Sequence, residues 1–305
     1  MLASLPWLWM PITIGAALAQ TLRNAAQRHL TAELGTLGAT LVRFLYGLPF
    51  AAAWLVVVAV QSDAPRPIIP LSFPAWVMLG AGTQIIATAL LLRTMADRSF
   101  ALGVAYSKTE VVQVAIIGFI LLGDPVSLPV AIAVIVATVG VLLISVPAGD
   151  RSLGIFLRGW TSRTALLGIA SGTMFALSAA GYRGAALSLE TAPALEAAYT
   201  LASAQALQIV LLGGWLVWRN SAVVVKVVLA WRVSLFAGFM GALASGLWFT
   251  AFALESAVHV RTLGLIELLF SYVVSQKLFR EQLGGSELAG IALFALGIVG
   301  VVGFR

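Results

Sequence analysis

The sequence predicts an all-α polytopic membrane protein, and three observations carry that prediction. Of its 305 residues 61% are hydrophobic and only 10% are charged, where an ordinary soluble domain carries about 25% charged residues. The mean hydropathy of +1.02 leaves too little polar surface to cover a water-soluble globule of this size. The apolar runs also come in blocks of about 20 residues, the length of a helix that crosses the hydrocarbon core. Together these exclude a soluble enzyme, a nucleic-acid binder and a disordered chain. The lack of cysteine removes disulfide frameworks, thiolate nucleophiles and zinc–thiolate sites.

Apolar runs between proline, glycine and charged punctuation give ten spans, at 7–28, 36–60, 72–93, 100–122, 127–147, 164–187, 194–218, 229–254, 259–279 and 285–303. A transmembrane β-barrel needs alternating segments of about ten residues, whereas runs such as 130–146 are continuously apolar. The first run has no basic leading segment and no small-residue cleavage motif with a mature domain behind it, so it reads as a retained span. Connections are short except for the proline-rich 61–74 and the stretch 148–163, and no soluble domain is expected on either side. Lys and Arg in short loops set the orientation. The odd-numbered loops hold eleven, among them Arg28, Arg93, Arg219, Lys226 and Lys277, and the even loops with the C-terminus hold four, Arg66, Arg183, Arg261 and Arg305. This asymmetry puts the odd loops in the cytoplasm and both termini outside.

An internal repeat divides the chain. A displacement of 157 residues superposes Glu110 on Glu267, Asp124 on Glu281, Gly140 on Gly297 and Thr88 on Ser245, and one of 155 superposes Ala25 and Arg28 on Ala180 and Arg183. The halves are 1–147 and 164–305, five spans each, joined by a linker at 148–163. An odd number of spans forces the halves into opposite orientations, related by a pseudo-twofold axis in the membrane plane.

A charge near the bilayer centre costs at least about 2.5–3.5 kcal/mol, so each one needs a cavity or a partner. In the first span Gln20, Arg23, Asn24 and Gln27 are spaced i, i+3, i+4, i+7 and share a face. The second carries Arg43 with Tyr46 one turn on, and the third Gln84 and Thr88. In the fourth, Tyr106, Thr109, Glu110 and Gln113 share a face, while Lys108, about 200° from Glu110 round a continuous helix, is not expected to pair with it. The seventh offers Glu196, Thr200 and Ser203, and the ninth a stripe of Gly264, Glu267, Ser271 and Ser275. These stripes are expected to face one another around a water-accessible central cavity. The alternative is that Arg43, Lys108 and the two glutamates form buried ion pairs that only hold helices together. Trp248 is interior, whereas Trp7, Trp9, Trp76, Trp160 and Trp231 sit at span ends as an interfacial belt. Gly290, Gly297 and Gly300 make the last span a close-packing face or a homodimer seam. His29 and His259 have no metal-ligand spacing, and no nucleophile elbow, zinc-protease or phosphate-loop motif occurs. Neither an enzyme, a metal nor an organic cofactor is expected.

Three motifs complete the reading: Val42-Arg43-Phe44; Glu110 with Gly123-Asp124-Pro125 closing the fourth span; and Ile266-Glu267-Leu268-Leu269-Phe270 through Phe279-Arg280-Glu281 closing the ninth. On these residues the sequence resembles the drug/metabolite transporter superfamily, in its ten-span EamA-type branch, over essentially the whole chain. The resemblance implies a transporter of small organic molecules, amino-acid and drug exporters included. It also implies cytoplasmic termini, the reverse of the charge count. The expectation is a secondary transporter, an exporter, that moves a small polar or zwitterionic metabolite such as an amino acid by alternating access. Glu110 and Glu267 are the candidates for proton coupling. The candidate substrate and coupling residues are Glu110, Glu267, Lys108, Arg43, Arg23, Asn24, Gln20, Tyr106, Gln84, Ser271 and Trp248. The rivals are an exporter of lipophilic cations in the same fold, a flippase for lipids or their headgroups and, from a different class, an intramembrane enzyme or a passive scaffold. The expected partners are a small-molecule substrate and the bilayer, and the expected location is the cell membrane, the inner one in a Gram-negative bacterium.

Overall fold

A computed structural model describes residues 7–97, 100–123 and 163–278, with isolated positions between 128 and 139. The fifth and tenth expected spans, nearly all of the linker, the acids Asp124 and Glu281, the Gly140–Gly297 match and the glycine seam of the last span lie outside the described residues. Every described element is helical: α1 (Trp9–Leu45), α2 (Leu48–Gln61), α3 (Ser72–Asp97), α4 (Phe100–Ser107), α5 (Glu110–Leu122), α6 (Arg163–Leu187), α7 (Pro193–Gln208), α8 (Gly214–Leu229), α9 (Trp231–Leu254), α10 (Ala257–Leu263) and α11 (Glu267–Lys277). Among the described residues six helical stretches are long and apolar enough to cross a membrane. The chain is an all-α protein of membrane-spanning character.

The first stretch, Trp9–Gln61, has 53 residues and would reach roughly 80 Å if straight, far beyond a hydrocarbon core of about 30 Å. It turns instead at Gly35, whose φ of 68° and ψ of 172° interrupt α1. Gln27 Nε2 donates to the carbonyl of Ala39 at 2.7 Å, so the two arms run side by side. Helix continues beyond the expected end at 28, to the residues before Gly35, because Leu30 and Leu34 are buried in the core. Only glycine adopts this backbone region freely. Gly35→Ala is therefore expected to lower stability by about 1–3 kcal/mol, although a Cβ there would meet nothing within 4 Å. Gly82→Ala, equally uncrowded but helical, is the control. Equal unfolding temperatures for the two variants would refute the strain.

Two helix pairs pack most extensively, α1 with α9 and α3 with α6. The α3–α6 crossing is close because a Cβ on Gly181 would lie 2.6 Å from the Gly80 nitrogen, the small-residue contact that membrane helices use in place of a hydrophobic drive. The expected seventh span carries a π-helical turn at Ile209–Gly213, and α8 loses helical geometry at Asn220, just past that span's expected end. Beyond it an exposed apolar segment with Lys226 runs to Ala230, flanked by Arg219 over Trp218 and Arg232 over Trp231. Loops of like parity in the sequence reading meet. The chain around His29 and Glu33 forms a cavity with Trp231 and Arg232, and Thr191 Oγ1 donates to the carbonyl of Pro65 at 3.0 Å. Trp9 near the N-terminus lies 6.3 Å from His259.

Candidate functional site

The fourth and ninth expected spans are both broken, and at matching places. Lys108 and Thr109 form a turn between α4 and α5, and Glu110 is the first residue of α5. The 3-10 turn Gly264–Ile266 separates α10 from α11, and Glu267 is the first residue of α11. Each carboxylate thus stands on the first residue of a half-helix, where the helix dipole favours negative charge.

Both carboxylates converge on one ammonium. Lys108 Nζ donates to Glu267 Oε2 and lies 3.6 Å from Glu110 Oε1. Lys108 and Glu110 were expected not to pair. The break between them overturns that expectation, because the 100° step per residue does not run through a turn. Glu267 is held further by Gln20 Nε2 at 2.6 Å and Asn24 Nδ2 at 3.1 Å. Glu110 Oε1 lies 3.5 Å from Arg261 Nη1. The Arg261 guanidinium stacks 4.7 Å from the ring centre of Trp248 and 5.2 Å from that of Phe252. Trp248 Nε1 donates to Gln20 Oε1 at 2.9 Å, and that hydrogen bond closes the circuit back to Glu267.

Arg23 Nη2 donates to Asn24 Oδ1 at 2.7 Å. Arg43 donates from Nη1 to Thr88 Oγ1 at 3.2 Å and from Nη2 to Ser245 Oγ at 3.1 Å. The stems of both arginines run across Gly241 of α9, where a Cβ would sit 3.1 Å from Arg43 Cγ and 3.4 Å from Arg23 Cδ. Arg23, Arg43, Lys108, Glu110, Arg261 and Glu267 are each at most 6% exposed. The polar side chains expected to line a central cavity are buried and interlocked with one another here.

Other candidates lie elsewhere. Gln84 belongs to a separate buried trio, accepting from the Tyr182 hydroxyl at 2.8 Å and from Gln208 Nε2 at 2.8 Å. Tyr106 packs against Gly168 of α6. Ser271 is buried with its hydroxyl unpartnered. Gln27 ties the Gly35 turn, and the Tyr46 hydroxyl leaves Arg43 to donate to the carbonyls of Val227 and Val228. Glu196 accepts from the Thr191 backbone N–H in the α6–α7 connection. Arg261, assigned to a loop from the sequence, is a member of the buried cluster and removes one count from the even loops. Its signal was an arginine six residues ahead of a mid-run glutamate. Tyr182 and Gln208 were also missed. Among the described residues no group of His, Asp and Glu could hold a metal ion.

No family model matches this sequence, and no curated protein does. A solved structure described only as "Crystal structure of protein" shares the fold, with a TM-score of 0.65 over 97% of this chain and 96% of that one at 13% identity.

Proposed function

We propose that the chain is a secondary transporter, which moves a small polar metabolite across the cell membrane by alternating access of two inverted five-span halves. The observation that carries this reading is the meeting of Glu110 and Glu267, one from each half and each at a helix break, on the single Lys108 ammonium. Discontinuous helices with polar groups at the midplane are how transporter folds build sites that open to either side. Reciprocal packing supports the repeat. The first expected span meets the eighth, through Gly15 against Leu247 and Gln20 with Trp248, and the third packs on the sixth, two contacts that the repeat exchanges. Thr88 and Ser245, superposed by the 157-residue displacement, both accept from Arg43. Arg28 lies over Phe100 where α4 begins, and its counterpart Arg183 donates to the carbonyls of Phe252 and Glu255 where α9 ends. Buried arginines disfavour the rival exporter of lipophilic cations, since like charge in low dielectric repels. A scaffold has no use for such a cluster, because a buried ion pair adds little net stability over apolar packing.

Glu110 Oε2 is buried without a hydrogen-bond partner and is the atom that would take the coupling proton. Proteoliposomes loaded with labelled succinate, glutamate, leucine or tetraphenylphosphonium test the reading. One of these is expected to move, and Glu110→Gln with Glu267→Gln is expected to abolish its accumulation against a pH gradient. Full accumulation by the double variant would end the coupling role, and no flux of any solute would end the transporter reading.

The Lys and Arg count supports an orientation with the odd loops in the cytoplasm. The chain has no cysteine, so single cysteines can be placed at will. Asp63→Cys is expected to react with a membrane-impermeant maleimide on intact cells, and Ser221→Cys only after permeabilisation. The opposite pattern would reverse the orientation.

A further inference from the structure

Among the described residues the buried cluster is not electrically closed. It holds four cations (Arg23, Arg43, Lys108, Arg261) and two acids (Glu110, Glu267). Among the described residues two further acids, Glu196 and Glu255, are already engaged. Glu196 lies beside Arg183 and accepts from Thr191, and Glu255 accepts from the Ser256 backbone N–H and pairs with His259. Protonation cannot repair the imbalance. Arginine stays charged in proteins, so even a neutral Lys108 leaves three guanidiniums facing two carboxylates. Protonating either glutamate makes the cluster more positive still. Burying an uncompensated charge is costly.

Apart from Glu110 Oε2, the unused hydrogen-bonding capacity of the charged side chains in this cluster lies on the cations. Arg23 Nε and Nη1, Arg43 Nε and Arg261 Nε are buried with no hydrogen-bond partner. Glu267 has both oxygens occupied, by Lys108, Gln20 and Asn24, so it offers nothing to a substrate ammonium. Two arginines from opposite arms of the Gly35 turn therefore run their stems side by side across Gly241 and keep unpartnered guanidinium donors, and among the described residues neither is hydrogen-bonded to a carboxylate.

We infer that Arg23 and Arg43 form the binding subsite for a carboxylate, and that the solute carries net negative charge. This narrows the expected zwitterion to an organic anion. It rests on the transporter reading for the solute's fate but not for its charge. A carboxylate between two guanidiniums accepts charge-assisted hydrogen bonds from the Nε and Nη atoms now left without partners. It also supplies the charge that the cluster lacks. Lys108 and Arg261 hold the two glutamates meanwhile, so the anion meets cations and not the acids.

The test uses the full-length protein in detergent micelles, titrated with acetate, benzoate, succinate, leucine and tetraphenylphosphonium, with calorimetry and thermal unfolding as readouts. At least one carboxylate is expected to bind and raise the unfolding temperature. Arg23→Gln is expected to weaken that binding about tenfold or more, with Arg23→Lys recovering part of it. Arg43→Gln provides a second arm if the first variant does not fold. Failure of every carboxylate to bind overturns the inference, as does carboxylate binding that both variants leave unchanged. A carboxylate that binds but shows no flux in proteoliposomes overturns the transporter reading and leaves the anion subsite standing.

Discussion

Lys108→Met is expected to be the most damaging single change in the buried cluster. The ammonium touches Glu267 and stands 3.6 Å from Glu110, and both carboxylates are at most 2% exposed. Removing it leaves Glu267 with only the neutral amides of Gln20 and Asn24, while Glu110 keeps Arg261 at 3.5 Å. Breaking a buried pair by deleting one partner costs about 3–5 kcal/mol, because the stranded charge stays desolvated. Thermal unfolding in detergent should show this as a large drop in transition temperature. The informative comparison is the double variant Lys108→Met with Glu267→Gln, in which no carboxylate is stranded at the Glu267 position. Its stability is expected to return most of the way to that of the parent, while flux stays absent. If the double variant is no more stable than the single one, the loss comes from the packing of the lysine stem and not from charge. If the double variant transports normally, the ion pair only holds helices together.

How far this cluster was legible in the sequence depends on where each charge sits along its apolar run. Arg23, Arg43, Lys108, Glu110 and Glu267 stand inside runs where the insertion cost demands a reason, and all five are buried in the structure. Arg261 lies at the edge of a run, where cations ordinarily extend to the interface, so the same cost argument passed over it. Its position over Trp248 and Phe252 and beside Glu110 reveals its role. The helix breaks were illegible for a different reason. Neither Lys108-Thr109 nor Gly264–Ile266 contains a proline, and hydrophobic periodicity carries on through a single non-helical turn. The face assignments made by counting 100° per residue therefore failed at Lys108 and held in the unbroken first arm of α1, where Gln20 and Asn24 both reach Glu267. Periodicity also says nothing about which polar side chains meet across helices. Gln84 was read as lining the central site, and it spends its carbonyl on Tyr182 and Gln208 instead.

Gly264→Ala is the second change expected to have a large effect, and for a reason opposite to that at Gly35. Gly264 has φ −61° and ψ −14°, a conformation open to every L-residue, so alanine brings no backbone strain. What it brings is overlap, because a Cβ at this position would strike the Trp248 ring and lie 3.0 Å from its Cζ3 atom. The indole has no easy retreat. Its Nε1 is bonded to Gln20, the Arg261 guanidinium covers it, and Phe252 stacks at 6.0 Å. Displacing the ring pulls on Gln20 and through it on Glu267, which begins the half-helix immediately after this turn. Overpacking of a filled interior costs about 1–3 kcal/mol, and here the displaced atoms belong to the charged cluster, so flux is expected to fall further than stability. Gly264→Ala combined with Trp248→Leu tests the coupling, since the smaller side chain restores the space while giving up the bond to Gln20. The pair is expected to recover the unfolding temperature of Trp248→Leu alone but not its parent's flux. A clash-driven effect must be non-additive in this way. Strictly additive losses would mean that Gly264 is required for some property other than making room for the indole.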